Sequence, residues 1–475
     1  MIKHKFLEEL REKIRTKNDN ITHERIKWIN SNPCYYDQIV KSLRFVIEKD
    51  SRILHIRCSI GYILNELKPG YGLGVDDSPL QIEEAKKNYQ HLNFLNKNIE
   101  DLNIAEKFDY ILISAVEDIV DLKAVFDSIK RCCTIHTRII LIHYNYLWTP
   151  LVKLAEAAKM KYPQKLHNWI TSNDVKNLLV LSNYKAVSSK RIVLYPFYIP
   201  LISYLLNRFI APLPLFRIFT LMHLTVARCK IKQEKEYSVS VIIPCKNEAG
   251  NIEDAVKRIP PLGNHTEIIF CDDKSTDGTV EKVKEIKKKH PDKDIKLVEG
   301  PGICKAENVW TGFDVAGGDI LMILDADLTV LPEELPYFYE SISEGYGEFI
   351  NGSRLVYPAQ DDAMRLFNEI GNKFFSLAFS YILDTQIKDT LCGTKVLWKR
   401  DYDRIKKNRG SWGINDKWGD YELLFGAAKC HLDIIDLPVH YVDRTYGETK
   451  MTNRFKNGCI MLRMSIVALL KIKFH

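Results

Sequence analysis

A chain of 475 residues is long enough for about three domains of ordinary size, or two large ones with a connector, and this excludes a single small binding module. With 46% hydrophobic residues, 27% charged, 23 Gly and 18 Pro, the composition excludes a disordered or fibrous chain. Lys and Arg number 68 against 61 Asp and Glu, and the net charge of +7 suits an anionic partner such as a diphosphate or an acidic lipid face without calling for nucleic acid.

The opening MIKHKFLEELREKIRTKNDN alternates charge with apolar residues and lacks the apolar stretch of a secretory signal, so residues 1–40 read as a helical extension. From 41 to 190 the short apolar runs RILHI, YGLGV, FDYILIS and RIILIHY alternate with helical segments such as SPLQIEEAKKNY and DLKAVFDSIKRC, the rhythm of an open α/β sheet. Residues 191–234 hold an apolar stretch broken by Pro196, Pro200, Pro212 and Pro214 and by Arg208 and Arg217. No uninterrupted span of about 18 to 20 apolar residues survives there. Two readings stay open for it: a packed connector between domains, or a surface dipping into a bilayer with arginines at the headgroups. A second α/β series, YSVSVIIP, TEIIFCDD, DIKLVEG and DILMILDAD, opens a domain over 235–455. The tail 456–475 is amphipathic, with Arg463, Lys471 and Lys473 on an apolar segment. The fold class expected is α/β, two consecutive doubly wound open sheets. The 11 cysteines have no paired two-residue spacing suited to zinc or a disulfide framework, which points to a reducing cytoplasm.

In an open parallel sheet the ligand sits beyond the carboxyl ends of the strands. In the second series those ends carry Pro244, Asn247 and Glu248; Asp272 and Asp273; and Asp325 and Asp327. The last pair directly follows an apolar strand, and the alanine between them lets both carboxylates face a hard divalent cation, Mn²⁺ or Mg²⁺. Such a cation bridges the phosphates of a nucleotide sugar and makes the diphosphate a leaving group.

PCKNE, CDDKSTDGT, CKAENVWTGFDVAGGD and DADLTVLPEEL, in this order, resemble the motifs of family 2 glycosyltransferases of the dolichol-phosphate (polyprenyl-phosphate) mannosyltransferase type, over about 237–455. The resemblance implies a GT-A fold and an inverting transfer from a UDP- or GDP-linked sugar. It also implies that Pro244, Asn247 and Glu248 line the nucleotide pocket beside Asp272 and Asp273, that Lys305 lies near the nucleotide, and that Asp325 and Asp327 hold the metal. Gly352-Ser353-Arg354 is similar to the segment that brings an arginine to an acceptor phosphate, and Arg365 falls at the spacing of a second; DTLCGTK, WGDYELL and RTYGETK fit further along. The branch commonly follows its DAD with leucine and glutamine, whereas Thr329 follows Leu328 here.

The acceptor decides the chemistry. A polyprenyl phosphate arrives ionised and suits the guanidinium forks of Arg354 and Arg365, whereas a glycan hydroxyl needs a base, for which Asp420 is the candidate and Glu422 the second.

The earlier domain resembles a class I S-adenosylmethionine methyltransferase in the order of its elements and in the tail NWITSNDVKNLLVLSNYKAV. By that resemblance Gly61, Asp76 and Glu100 or Asp101 contact the cofactor. The first turn, Leu54-His55-Ile56-Arg57-Cys58-Ser59-Ile60-Gly61, departs from the pattern: His55 stands at the usual acid, and Arg57 and Ser59 stand at two usual glycines. A working methyltransferase acting on a sugar, a catalytically silent scaffold, and a non-catalytic nucleotide-binding protein all stay open. The expected setting is the cytoplasm at the inner membrane face, in the making of a surface glycan or glycolipid.

Overall fold

The computed structural model describes residues 2–158, 170–231, 235–357, 366–410, 416–444, 446 and 454–474. The chain forms two compact units, Met1–Ile231 and Lys232–His475. Arg365 and most of RTYGETK lie outside the described residues.

The first unit is built on β1 (Arg52–Ile56), β2 (Tyr71–Asp76), β3 (Asn93–Asn96), β4 (Tyr110–Ile113), β5 (Arg138–Tyr144), β6 (Tyr184–Ile192) and β7 (Met222–Cys229). Their order is β3-β2-β1-β4-β5-β7-β6, with β7 antiparallel to both neighbours. The sheet is therefore mixed rather than wholly parallel. The segment 191–234 contains the end of β6 and all of β7, and its apolar part is an excursion between two adjacent strands of one sheet. Every residue of β7 is buried, because it lies inside the sheet; Met222, Leu224 and Val226 share one face, and His223 and Thr225 alternate with them. Phe108, Phe126 and Tyr184 fill one side of the core, and Leu43, Phe94 and Leu224 the other.

The second unit repeats the layout with β8 (Ser238–Cys245), β9 (His265–Asp272), β10 (Asp294–Glu299), β11 (Ile320–Ile323), β12 (Phe349–Ser353), β13 (Lys395–Trp398) and β14 (Ile434–Pro438). The order is β10-β9-β8-β11-β13-β12-β14, and β13 runs antiparallel to β11 and β12. Pro244 on β8 lies beyond the last pairing with β11, Ile242 with Ile323, so its missing N–H leaves that ladder intact. The C-terminal helix Arg454–Ala468 buries Met461, Met464 and Ala468 against Phe379 and Phe425. No helix among the described residues is long and apolar enough to cross a membrane. In both sheets the strand order reverses beside the first strand, at β1/β4 and at β8/β11, where open α/β sheets place their ligands.

Candidate active site

At the β8/β11 reversal the strands end in polar turns that hold one another. Asn247, at φ 55°, donates its N–H to Ser275 Oγ (2.9 Å) and accepts the Thr276 N–H at its Oδ1 (2.8 Å). Glu248 is buried, with its N–H on Thr279 Oγ1 (3.0 Å) and Oε2 on Asn251 Nδ2 (2.9 Å). Asp272 is also buried; its Oδ2 accepts the Ser275 N–H (3.0 Å), and its Oδ1 has no hydrogen bond among the described residues. Asp273 pairs through Oδ2 with Lys246 (3.2 Å) and likewise keeps a buried Oδ1 without a hydrogen bond among the described residues. Two buried, unsatisfied carboxylate oxygens at adjacent strand-end positions are acceptors built for a donor-bearing ligand.

The Asp-Ala-Asp turn leaves β11 and bends at Leu328, φ 53°. Asp325 Oδ1 meets Lys305 Nζ at 2.5 Å. Burial penalises both charges, but their attraction wins: the Asp325 carboxyl is held below its usual range, and Asp325, Asp420 and Asp327 together push the Lys305 ammonium up. Asp327 accepts the Thr329 hydroxyl (2.9 Å) and N–H (3.2 Å) at Oδ1 and takes Arg444 at Oδ2 (2.5 Å). Thr329, the departure from the expected motif, thus orients the second aspartate. Gly393 closes the site from the opposite side, where a Cβ would collide with Asp325 Oδ2 and stand 2.8 Å from Lys305 Nζ.

Behind this pair lies Asp420, at the start of the helix Asp420–Lys429, with Oδ1 3.4 Å from the fully buried Lys395. Burial raises the Asp420 carboxyl, and Lys395 and Lys305 pull it back. The same helix turn is fixed by Asp416, whose Oδ2 accepts the N–H groups of Tyr421 (2.9 Å) and Glu422 (3.0 Å). Glu422 points elsewhere, to the Gly410 N–H (3.1 Å) and Arg409 (3.6 Å). Arg354 forms a fork on the buried Asp389, at 2.7 and 3.0 Å, under the ring of Tyr441. The site therefore gathers Asp325, Asp327, Lys305 and Asp420 from the expected set and adds Lys395, Asp416, Asp389 and Arg444.

A pair of carboxylates with all-oxygen donors fits a hard divalent cation such as Mg²⁺, which takes one or two protein carboxylates and completes its shell from phosphates and water. No group of three or more metal-ligating acids, histidines or cysteines occurs among the described residues, so the ligand oxygens would have to supply the rest.

In the first unit, the turn after β1 keeps positive φ at the two positions where Arg57 and Ser59 replace usual glycines, and at Gly61. Arg57 and Ser59 adopt φ 57° and 53°. The Arg57 guanidinium is buried on Asp77 and on the Asp118 carbonyl (2.8 Å). Asp76 spends both oxygens on the N–H groups of Ser59 (2.9 Å) and Ser78 (3.1 Å). Glu100 takes the N–H groups of Val120 and Asp121 at Oε1, and Arg11 from the helix Ile2–Asn20 at Oε2 (3.0 and 2.5 Å). Asp101 is exposed. Gly61, at φ 80°, has its Cβ position filled by the Phe94 ring. The cavity left beside this turn, bounded by His55, Arg57, Tyr144 and Met222, measures about 110 Å³. Pockets for ligands of cofactor size run from about 300 Å³ upward. Arg57, Asp76 and Glu100, at positions the resemblance assigns to the cofactor turn, are thus each bonded within the chain itself.

Residues 240–423 match the family Glycosyl transferase family 2, and residues 47–188 match a methyltransferase domain. The chain is 31% identical over 222 residues to a dolichol-phosphate mannosyltransferase of Pyrococcus furiosus, covering 46% of this chain and 60% of that one. It is 31% identical over 112 residues to an undecaprenyl-phosphate 4-deoxy-4-formamido-L-arabinose transferase of Aeromonas hydrophila, covering 23% of this chain and 34% of that one. The chain thus spans less than two thirds of the length of either relative. A solved S-adenosylmethionine-dependent methyltransferase from Clostridium acetobutylicum superposes with a TM-score of 0.30 at 13% identity, over 44% of this chain and 98% of the other.

Proposed function

We propose, from the premise that the second unit carries a glycosyl transferase family 2 domain beside an N-terminal methyltransferase-type domain, that this chain moves a sugar from a nucleoside diphosphate to a polyprenyl phosphate with inversion. The observation that carries the reading is the convergence at one strand-order reversal of Asp272 and Asp273, with their open oxygens, and of Asp325 and Asp327 beside Lys305. The polyprenyl acceptor is favoured by the names of the two relatives, both transferases to a polyprenyl phosphate.

Asp272 and Asp273 offer acceptors to the donor nucleotide. A divalent cation held by Asp325 and Asp327 would supply neutralisation of the leaving diphosphate. Lys305 and Arg444 pair with those two aspartates and aim them, and Lys305 also keeps Asp325 ionised. Arg354, fixed by Asp389, presents a positive charge to an anionic acceptor. A phosphate attacks without losing a proton, so under this reading Asp420 serves as a buried counter-charge to Lys395 and Lys305. With a hydroxyl acceptor the same carboxylate, raised by burial, would take the proton.

The test is transfer by the purified full chain from UDP- and GDP-sugars to a polyprenyl phosphate, with Mg²⁺ or Mn²⁺. Asp325→Asn and Asp327→Asn should each lower kcat/KM about a thousandfold. Asp420→Asn should leave a reduced but measurable rate with the phosphate acceptor; a loss as large as the general-base range of about 10²–10⁴ would point to a hydroxyl acceptor. Wild-type turnover in both Asp-Ala-Asp variants would overturn the proposal.

A further inference from the structure

Between β6 and β7 the chain leaves the first sheet at Val193 and returns at Leu221. On this excursion Phe197, Tyr198, Leu201, Ile202, Leu215 and Phe219 are each at least half exposed, Leu215 to 78%. A single exposed apolar side chain is ordinary, but a continuous set within one segment marks a contact surface.

The backbone beneath these side chains is unusual for a surface loop in having its polar groups met from inside. Asn207 Oδ1 accepts the N–H groups of Leu194 and Tyr195 (both 2.8 Å), and its Nδ2 donates to the Tyr195 carbonyl (2.7 Å). Ser203 Oγ accepts the Ile199 N–H at 2.6 Å. Asn145 donates to the carbonyls of Ile218 and Thr220 (2.8 and 2.9 Å), and Trp148 Nε1 to that of Phe219 (2.9 Å). Water would satisfy such groups on an ordinary loop, whereas an apolar medium requires internal partners.

The charge is one-sided as well. No Asp or Glu occurs from residue 175 to 233, while Arg208 and Arg217 lie on the excursion and Lys190 and Arg191 at the end of β6 that leads into it. Arg208 lies one helical turn from Tyr204, donating to its hydroxyl at 2.7 Å, in the amphipathic arrangement of a headgroup contact. A second copy docking through the same patch would bring like charges together. An acidic lipid surface meets both the apolar and the cationic parts.

We propose that residues 197–219 form a docking surface for an anionic phospholipid bilayer, lying in its interface. The prolines at 200, 212 and 214 keep the segment from continuing as a long helix, so it lies on the bilayer instead of spanning it.

The experiment is co-sedimentation of the full chain with phosphatidylcholine vesicles, with and without phosphatidylglycerol, at two salt concentrations. It uses neither donor nor acceptor, so its outcome is independent of the glycosyl-transfer reading. The wild type should pellet with phosphatidylglycerol vesicles, more at low salt. The triple variant Tyr198→Ser/Leu201→Ser/Leu215→Ser should bind about tenfold or more weakly with an unchanged thermal melt. Arg208→Gln/Arg217→Gln should lose most of the preference for phosphatidylglycerol and of the salt dependence. Wild-type protein left in the supernatant at low salt, or a triple variant that binds as tightly as the wild type, would overturn the proposal. So would a triple variant that loses self-association in velocity sedimentation while vesicle binding is unchanged.

Discussion

Gly393 contributes by what it lacks, since any Cβ there would push into the Asp325–Lys305 pair. Gly393→Ala should therefore lower transfer about a hundredfold while leaving the melting temperature close to wild type, because the side chains displaced line a cleft and not the core. Unchanged turnover in a steady-state assay would show that this pair need not keep its place. Asp325 and Asp327 are legible in the sequence because they directly follow the apolar run ILMIL. Their partners are less so: Asp389 and Lys395 open and close the segment DTLCGTK, which fits the family pattern without showing which charges they meet, and Asp416 lies in none of the quoted motifs. Lys395 is fully buried, an assignment no local pattern suggests for a lysine. Its ammonium is held by Asp420, at the start of a helix, and by the Cys392 carbonyl, and these partners account for its burial. Conversely, Glu422 is as prominent as Asp420 in WGDYELL, and the helix turns it to Arg409 instead.

The helix Ile2–Asn20 has the sequence of a solvent-facing helix, yet it lies against the loops that follow β2 and β3. Arg11 reaches Glu100, Asp19 accepts the Ser78 hydroxyl, and the Asn18 carbonyl accepts from Gln81 (2.9 Å). Glu100 is thereby satisfied by the chain itself. Calorimetric titration with S-adenosylmethionine and S-adenosylhomocysteine should accordingly give no binding heat for the wild type. Arg57→Gly/Ser59→Gly should stay silent too, since it restores the turn but leaves Glu100 occupied; binding in either protein would mean that these contacts yield to the cofactor. The strand rhythm of both sheets was readable from short apolar runs between helical segments. β7 was not, because its short alternation MHLTV directly follows a longer apolar, proline-broken stretch that hides where the strand starts.

Taken whole, the molecule should be acid-sensitive through its first unit. Burial lowers His55 to about 3, and burial with His143 and Arg191 nearby lowers His223 to about 3. Both are neutral in the fold, so below pH 6.5 the unfolded chain takes up protons that the native state refuses. Their contribution is complete above about pH 6.5 and is lost as the pH falls toward 3, by about 1.4 kcal/mol per pH unit for each histidine. Asp77, raised to about 6 by burial against the pull of Arg57, acts in the opposite sense: its contribution is present below about pH 4 and lost as the pH rises through 6. Two histidines against one aspartate leave a net loss on acidification. Urea unfolding at pH 7, 6 and 5 should show a falling midpoint for the wild type and a flatter one for His55→Gln/His223→Gln; a flat wild-type profile would refute the assignment. The excursion between β6 and β7 has a topological consequence of its own. Ile192 and Met222 are paired across the ladder, and the Leu221 N–H reaches the Val193 carbonyl at 2.7 Å, so the segment begins and ends at one point of the sheet. Residues 194–220 are thus a closed loop on a hairpin, and replacing them with a two-residue turn would preserve every strand while relieving about 2 kcal/mol of closure entropy. The fold carries the loop as a detachable appendage, open to lengthening, loss or exchange without renegotiating the sheet beneath it.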